Sequence, residues 1–94
     1  MRKLPKEFNK LGERFYQDID EEISTRPELV NFLLQGLSKQ DRQRLKPFLD
    51  SIVDPNRCSG EELLRLWHAT PTSFYALDSE DLRLLLREIR AKLD

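Results

Sequence analysis

The sequence predicts an all-α fold, a single small domain of about five helices in an orthogonal or bundle-like arrangement. Three observations support this class. Charged residues make up 35% of the 94 residues, whereas three Gly and five Pro total only eight, a composition typical of helical soluble proteins. Apolar residues recur at steps of three and four along most of the chain, which is the period of an α-helix. A chain of this length buries one modest core, so we expect one domain over residues 1–94.

The first helix is predicted by an apolar stripe near the N-terminus. Its members are Leu4, Phe8, Leu11, Phe15 and Ile19, at steps of four, three, four and four residues, as one face of a helix requires. Continuing the helix would place Glu22 near the middle of this buried stripe. We therefore expect the helix to end or bend between about Ile19 and Glu22, which leaves the acidic residues at its C-terminal end.

The middle of the chain predicts two helices joined by a short turn. Residues 25–28 read Thr-Arg-Pro-Glu, a capping-box pattern with proline in the first turn, and so mark the start of the second helix. Gly36 marks its end, and Ser38 caps the third helix. Pro47 falls inside the third helix and removes one helical hydrogen bond, so we expect a kink or an irregular turn there.

The fourth helix begins at a second capping-box pattern, Ser-Gly-Glu-Glu at residues 59–62. Cys58 and Leu63 stand at the two positions of a hydrophobic staple. The helix must stop before Pro71. Its apolar stripe includes Trp67, which we assign to the core.

The fifth helix closes the chain after a predicted loop that carries Phe74 and Tyr75. Asp78 or Ser79 is expected to cap it. The residues predicted to face inward are Leu82, Leu85, Leu86, Ile89 and Leu93.

The sequence lacks the residue combinations that usually form catalytic or metal-binding sites. A thiol–imidazole pair would need the single Cys58 and the single His68, yet the fourth helix would separate their backbones by roughly 15 Å. One Cys and one His also cannot supply the three or four ligands of a zinc site. A calcium loop that starts at Asp18 would have Ile23 and Leu29 where Gly and Glu are needed. The sequence therefore predicts no enzyme, no cofactor, no metal and no small-molecule substrate.

The sequence also favours a cytoplasmic location. The uncharged run from Leu29 to Ser38 has ten residues, about half of the roughly 20 that cross a bilayer. The positive N-terminus lacks the apolar segment of a signal peptide, because Lys6 and Glu7 interrupt it. A single cysteine cannot form an internal disulfide, which fits a reducing compartment. We expect no membrane partner, and the sequence leaves the oligomeric state open.

Charge is sorted along the chain although the net charge is −1. Residues 1–14 carry +3, residues 15–28 carry −4 and residues 39–46 carry +3. The negative segment contains the stretch FYQDIDEE, Phe15 to Glu22. Its acids are either solvated, with some favouring the start of the second helix, or they form a surface that meets a basic partner.

The stretch FYQDIDEE resembles the FHQDWD-type segment near the start of immunity proteins of contact-dependent growth inhibition systems. The positions that match are Phe15, Gln17, Asp18 and Asp20. Tyr16 and Ile19 stand where the family pattern has His and Trp. The likeness extends over the segments LKPFLDSIV, SGEELLRLWHATPTSFY and DLRLLLREIRAKL.

The resemblance implies a small cytoplasmic bacterial protein that binds a cognate toxin domain and blocks it, often by covering a nuclease active site. An acidic surface can substitute for the phosphates that a basic nuclease cleft expects. We name the predicted contact residues the acidic patch: Tyr16, Gln17, Asp18, Asp20, Glu21 and Glu22. Phe74 and Tyr75 are additional aromatic candidates for the same surface.

Two alternatives remain open. Residues 29–53 contain a helix, a turn and a basic helix, and could form a helix-turn-helix DNA-binding unit. The side chains able to reach bases or phosphates are Gln40, Arg42, Gln43 and Arg44. The net charge of −1, Asp41 in the first turn and Pro47 in the supposed recognition helix make nucleic acid the less favoured partner. The other alternative is a helical adaptor whose partner is not a toxin.

Overall fold

The structure, a computed structural model, describes residues 4–16, 18–72 and 78–93, and only the backbone of Asp20. Its helices are α1 (Lys6–Arg14), α2 (Ile19–Glu22), α3 (Arg26–Gln35), α4 (Lys39–Ile52), α5 (Gly60–His68) and α6 (Ser79–Ala91). Within these described ranges there are five helices of nine residues or more, α2 is a single turn, and no strand occurs. The predicted all-α class with about five helices is confirmed.

The described helices surround one core. Helix α6 packs against α3, α4 and α5, while α1 packs against α3 and α4. Trp67 is fully buried, and the rings of Phe8 and Phe15 meet it edge-on at centroid distances of 5.7 and 5.6 Å. This geometry suits the quadrupoles of the aromatic rings. The predicted core position of Trp67 is therefore confirmed.

Side-chain caps start four of the helices. Each capping oxygen accepts a hydrogen bond from the backbone N–H three residues later, and the capping residues are Thr25, Ser38, Ser59 and Asp78. At the start of α4 the cap is reciprocal, because the Asp41 carboxylate accepts the N–H of Ser38 at 3.1 Å. A cap of this kind contributes about 1 kcal/mol to stability. The predicted helix starts are confirmed, and Asp78 rather than Ser79 caps α6.

The predicted end of the first helix is wrong, because α1 ends at Arg14. The N–H of Phe15 bonds the carbonyl of Gly12 at 3.1 Å, and the backbone leaves the helical conformation at Phe15, whose ψ is 82°. The Phe15 carbonyl instead accepts the hydroxyl of buried Thr72 at 2.9 Å. This contact between residues 57 positions apart satisfies a carbonyl that has left the helix. The chain bends there while Phe15 and Ile19 both stay buried.

The segment after α5 also fixes the position of α1. A side chain at Gly12 would place its Cβ 2.0 Å from Oγ1 of Thr70 and 2.4 Å from its Cβ. Only glycine allows so close an approach. Thr70 is itself buried, and its hydroxyl donates to the Trp67 carbonyl at 2.5 Å.

Helix α4 continues from Lys39 to Ile52 although Pro47 lies within it. Of the kink or irregular turn expected at this proline, the irregular turn is absent, because the helix is uninterrupted there. The missing N–H would have bonded the carbonyl of Gln43. Gln43 and Pro47 are both exposed, so water can take the place of the lost donor.

Candidate partner-binding surface

The bend after α1 leaves the described acids of the acidic patch at the surface. Phe15 and Ile19 point into the core and are 2% and 1% exposed. Between and after these two anchors, Asp18, Glu21 and Glu22 are exposed. Asp18 stands at the N-cap of α2, and its side chain makes no capping bond. The acids therefore do not lie at the C-terminus of α1, where the sequence predicted them.

The charges of Asp18, Glu21 and Glu22 are not neutralised by the Lys and Arg side chains that the structure describes. The ion pairs in those parts of the chain use other acids, which are Glu7, Asp41, Asp50, Asp54, Glu61 and Glu88. Three exposed carboxylates within five residues thus present a local negative potential. Such a potential accelerates encounter with a positively charged partner.

Tyr16 connects the acidic patch to the body of the protein. Its hydroxyl donates a hydrogen bond to the Glu22 carboxylate, and its ring meets Phe32 edge-on with centroids 6.2 Å apart. The bond to Glu22 raises the pKa of Tyr16, with smaller contributions from burial and from the charges of Glu22 and Asp18. Tyr16 therefore stays protonated and holds the Glu22 side chain across the turn.

A shallow depression of about 460 Å³ adjoins Tyr16 and is lined also by Lys10, Glu13, Arg14, Phe32 and Gly36. The Arg14 guanidinium carbon lies 4.2 Å above the centroid of the Phe32 ring. Its Nε also donates to the Phe32 carbonyl at 3.0 Å. Gly36 leaves room for this arrangement, since a Cβ there would lie 2.3 Å from Cδ of Arg14. We name this region the aromatic depression.

Phe32 and Arg14 were not predicted from the sequence as neighbours of the acidic patch. One signal was present, because α3 is apolar nearly all round and only Val30, Leu33 and Leu34 of it are buried. When a helix has more apolar residues than its buried face can hold, some of them remain near the surface. Phe32 is that half-buried ring.

Several predicted contacts lie outside the described part of the structure. Gln17, Phe74 and Tyr75 lie outside the described residues, and the side chain of Asp20 does as well. The described members of the acidic patch are Tyr16, Asp18, Glu21 and Glu22. Of these, Tyr16 and Glu22 are in direct contact.

The helix-turn-helix alternative corresponds to α3, a turn at residues 36–38 and α4. Two of its four predicted contact side chains also engage the protein itself. Arg42 donates through Nη2 to the Leu34 carbonyl at 3.0 Å, and Arg44 pairs with Glu7 at 3.8 Å. Gln40 and Gln43 are exposed.

The first turn of α4 is tied to α1 through Asp41. Lys10 donates to the Asp41 carboxylate at 2.8 Å. This bond, together with the backbone N–H of Ser38, lowers the pKa of Asp41 to about 2. The acid at the start of α4 thus belongs to a cap and an interhelical ion pair.

Other kinds of site find little support in the described part of the chain. Cys58 is buried just before α5, and His68 is exposed at its last residue. No group of three or more His, Cys, Asp or Glu among the described residues is placed to hold a metal ion. None of the described helices has the length and apolar character needed to cross a membrane.

Comparison of the chain with protein-family models found no matching family, and searches of curated proteins and of solved structures found no significant match.

Proposed function

We propose that this protein is a bacterial immunity protein that binds and neutralises a cognate toxin domain through the acidic patch. The observation that carries the proposal is the exposure of Asp18, Glu21 and Glu22 without ion pairs to the described Lys and Arg side chains. The resemblance of FYQDIDEE to the immunity-protein segment supplies the class of partner. The protein acts by occupying a surface, not by chemistry.

The expected partner is a toxin domain with a basic cleft, such as a nuclease. Carboxylates of the acidic patch would pair with the Arg and Lys side chains that otherwise bind phosphate. Tyr16 and the half-buried Phe32 add apolar area beside the charges, and aromatic residues of this kind frequently anchor interfaces. Such a toxin acts on nucleic acid inside the cell, so the inhibitor works in the cytoplasm.

The test uses the toxin domain encoded beside the gene for this protein. We expect a one-to-one complex in solution and survival of cells that express both proteins. The triple variant Asp18→Asn, Glu21→Gln, Glu22→Gln should lose protection while its circular dichroism spectrum stays unchanged. Full protection by this variant would contradict the assignment of the site.

A matched control separates a local effect from a change in net charge. The variant Glu61→Gln, Glu80→Gln, Glu88→Gln removes three exposed carboxylates from α5 and α6. It changes the net charge by the same amount as the triple variant of the acidic patch. We expect this control to protect cells as the wild-type protein does.

The same preparation distinguishes the alternatives. A helix-turn-helix protein would bind DNA with an affinity that falls steeply with salt and weakens when Arg42 and Arg44 become Ala. An adaptor would use the acidic patch for a different protein and would give no protection against the toxin. Binding of duplex DNA that depends on both Arg42 and Arg44 would contradict the proposal.

A further inference from the structure

A second charged surface lies on α4 and at the C-terminal end of α6. It is a shallow concavity of about 520 Å³, which we name the basic concavity. Its polar lining residues are Lys39, Arg42, Gln43, Lys46 and Lys92. None of the lining residues that the structure describes is acidic. The concavity shares no residue with the acidic patch or with the aromatic depression.

Helix geometry explains why these cations meet. Residues 39, 42, 43 and 46 are spaced by three, one and three positions and so lie on one face of α4. Because α6 packs against α4, the end of α6 brings Lys92 to the same concavity. Like charges gathered in one concavity repel each other, and a bound anion removes this repulsion.

Arg42 is the most constrained of the cations. Its Nη2 donates to the Leu34 carbonyl at the end of α3, which holds the guanidinium in place. Its Nε is buried and has no hydrogen-bond partner. A buried donor without a partner is unfavourable. Because Arg42 lines the concavity, a shift of its side chain toward a bound acceptor would give Nε a partner.

We propose that the basic concavity binds a phosphate-bearing ligand, with the phosphate held between Arg42, Lys39 and Lys92. A phosphate group offers several acceptor oxygens and a double negative charge, which guanidinium and ammonium groups recognise well. A volume of about 520 Å³ is in the range of small-molecule sites. Pyrophosphate or the phosphate chain of a nucleotide has the matching chemistry.

The test measures binding of inorganic pyrophosphate by calorimetry and by chemical-shift changes in two-dimensional NMR. We expect saturable binding by the wild-type protein, with the largest shifts at Lys39, Arg42 and Lys92. The variant Lys39→Gln, Lys92→Gln should bind pyrophosphate at least about tenfold more weakly than the wild-type protein, because it loses two charge-assisted hydrogen bonds. Both lysines are exposed, so the substitutions should leave the fold intact.

The matched control is Arg57→Gln, Arg65→Gln, which removes two positive charges from exposed positions outside the concavity. It should bind pyrophosphate within about twofold of the wild-type affinity, since screening limits the reach of distant charges. The proposal is overturned if the wild-type protein shows no saturable binding. Equal losses in the two double variants would overturn it as well.

Two further probes identify the source of the phosphate. ATP presents a small polyphosphate, and a single-stranded oligonucleotide of about ten residues presents a phosphate backbone. Tighter binding of ATP assigns the concavity to a small ligand, and tighter binding of the oligonucleotide assigns it to nucleic acid. Either result supports the phosphate site only if Lys39→Gln, Lys92→Gln weakens that binding.

Discussion

At the scale of the residue, Tyr16 links the fold to the proposed function. It contacts Phe32 with its ring and Glu22 with its hydroxyl. The first contact belongs to the packing of α3, and the second orders a carboxylate of the acidic patch. A tyrosine at this position therefore reduces the number of conformations that Glu22 must lose on binding.

The bond between Tyr16 and Glu22 is open to direct measurement. The pKa of Tyr16 should lie above the ordinary value of 10.0 because the protonated hydroxyl donates to Glu22. In Glu22→Ala the pKa should fall toward 10.0, because the hydrogen-bond acceptor and its negative charge are both lost. NMR titration of the Tyr16 ring resonances tests this. An equal pKa in the two proteins would show that the bond is not maintained in solution.

Asp41 provides a prediction on the pH dependence of stability. Its pKa is about 2 in the folded protein and 3.8 in the reference state. The group therefore stabilises the fold above about pH 4, and this contribution is lost as the pH falls from about 4 to about 2. Asp41→Asn keeps an oxygen for the cap but loses the charge that pairs with Lys10.

Chemical denaturation between pH 7 and pH 2 tests this prediction. Asp41→Asn should be less stable than the wild-type protein at pH 7. The difference in unfolding free energy should shrink toward zero as the pH approaches 2. A constant difference across this range would contradict the ion pair with Lys10.

At the scale of the element, local sequence and distant contacts determine different features. Four helix starts follow from capping residues, and the buried stripe of Phe8, Leu11, Phe15 and Ile19 follows from periodicity. These features depend on residues close in sequence, so they could be predicted. The end of α1 depends on Thr72, which is 57 residues away. The local sequence around Phe15 does not predict such a contact.

The same distinction applies to the candidate site. The acids of the acidic patch are evident as a charge run, and their exposure is what a polar run after an apolar stripe leads one to expect. The contact of Arg14 with Phe32 joins α1 to α3 and requires the packing angle of the two helices. Sequence periodicity assigns faces but not the partner that each face meets.

The bend after α1 should depend on the Thr72 hydroxyl. Thr72→Val keeps the shape of this buried side chain and removes the donor to the Phe15 carbonyl. We expect a loss of about 1 to 3 kcal/mol in unfolding free energy because the buried Phe15 carbonyl loses this hydrogen bond. Thr72→Ser, which retains the hydroxyl, should lose less. Urea denaturation of both variants measures the difference, and equal stability of Thr72→Val and the wild-type protein would refute this role.

At the scale of the whole molecule, the net charge is only −1, yet the protein has one negatively charged and one positively charged surface. The acidic patch is formed at a bend between helices, and the basic concavity is formed along α4 beside the end of α6. Each surface is suited to a ligand of opposite charge. A protein can therefore be nearly neutral overall and still select partners by electrostatic complementarity.

The most direct test of the central claim is the rate constant for association with the toxin domain, measured by stopped-flow fluorescence at low and high salt. We predict that the variant Asp18→Asn, Glu21→Gln, Glu22→Gln associates about tenfold more slowly than the wild-type protein at low salt and loses most of the salt dependence. The control Glu61→Gln, Glu80→Gln, Glu88→Gln should change the rate by less than about threefold. Equal rates for the wild-type protein and the acidic-patch variant would contradict the claim that these carboxylates form the docking surface.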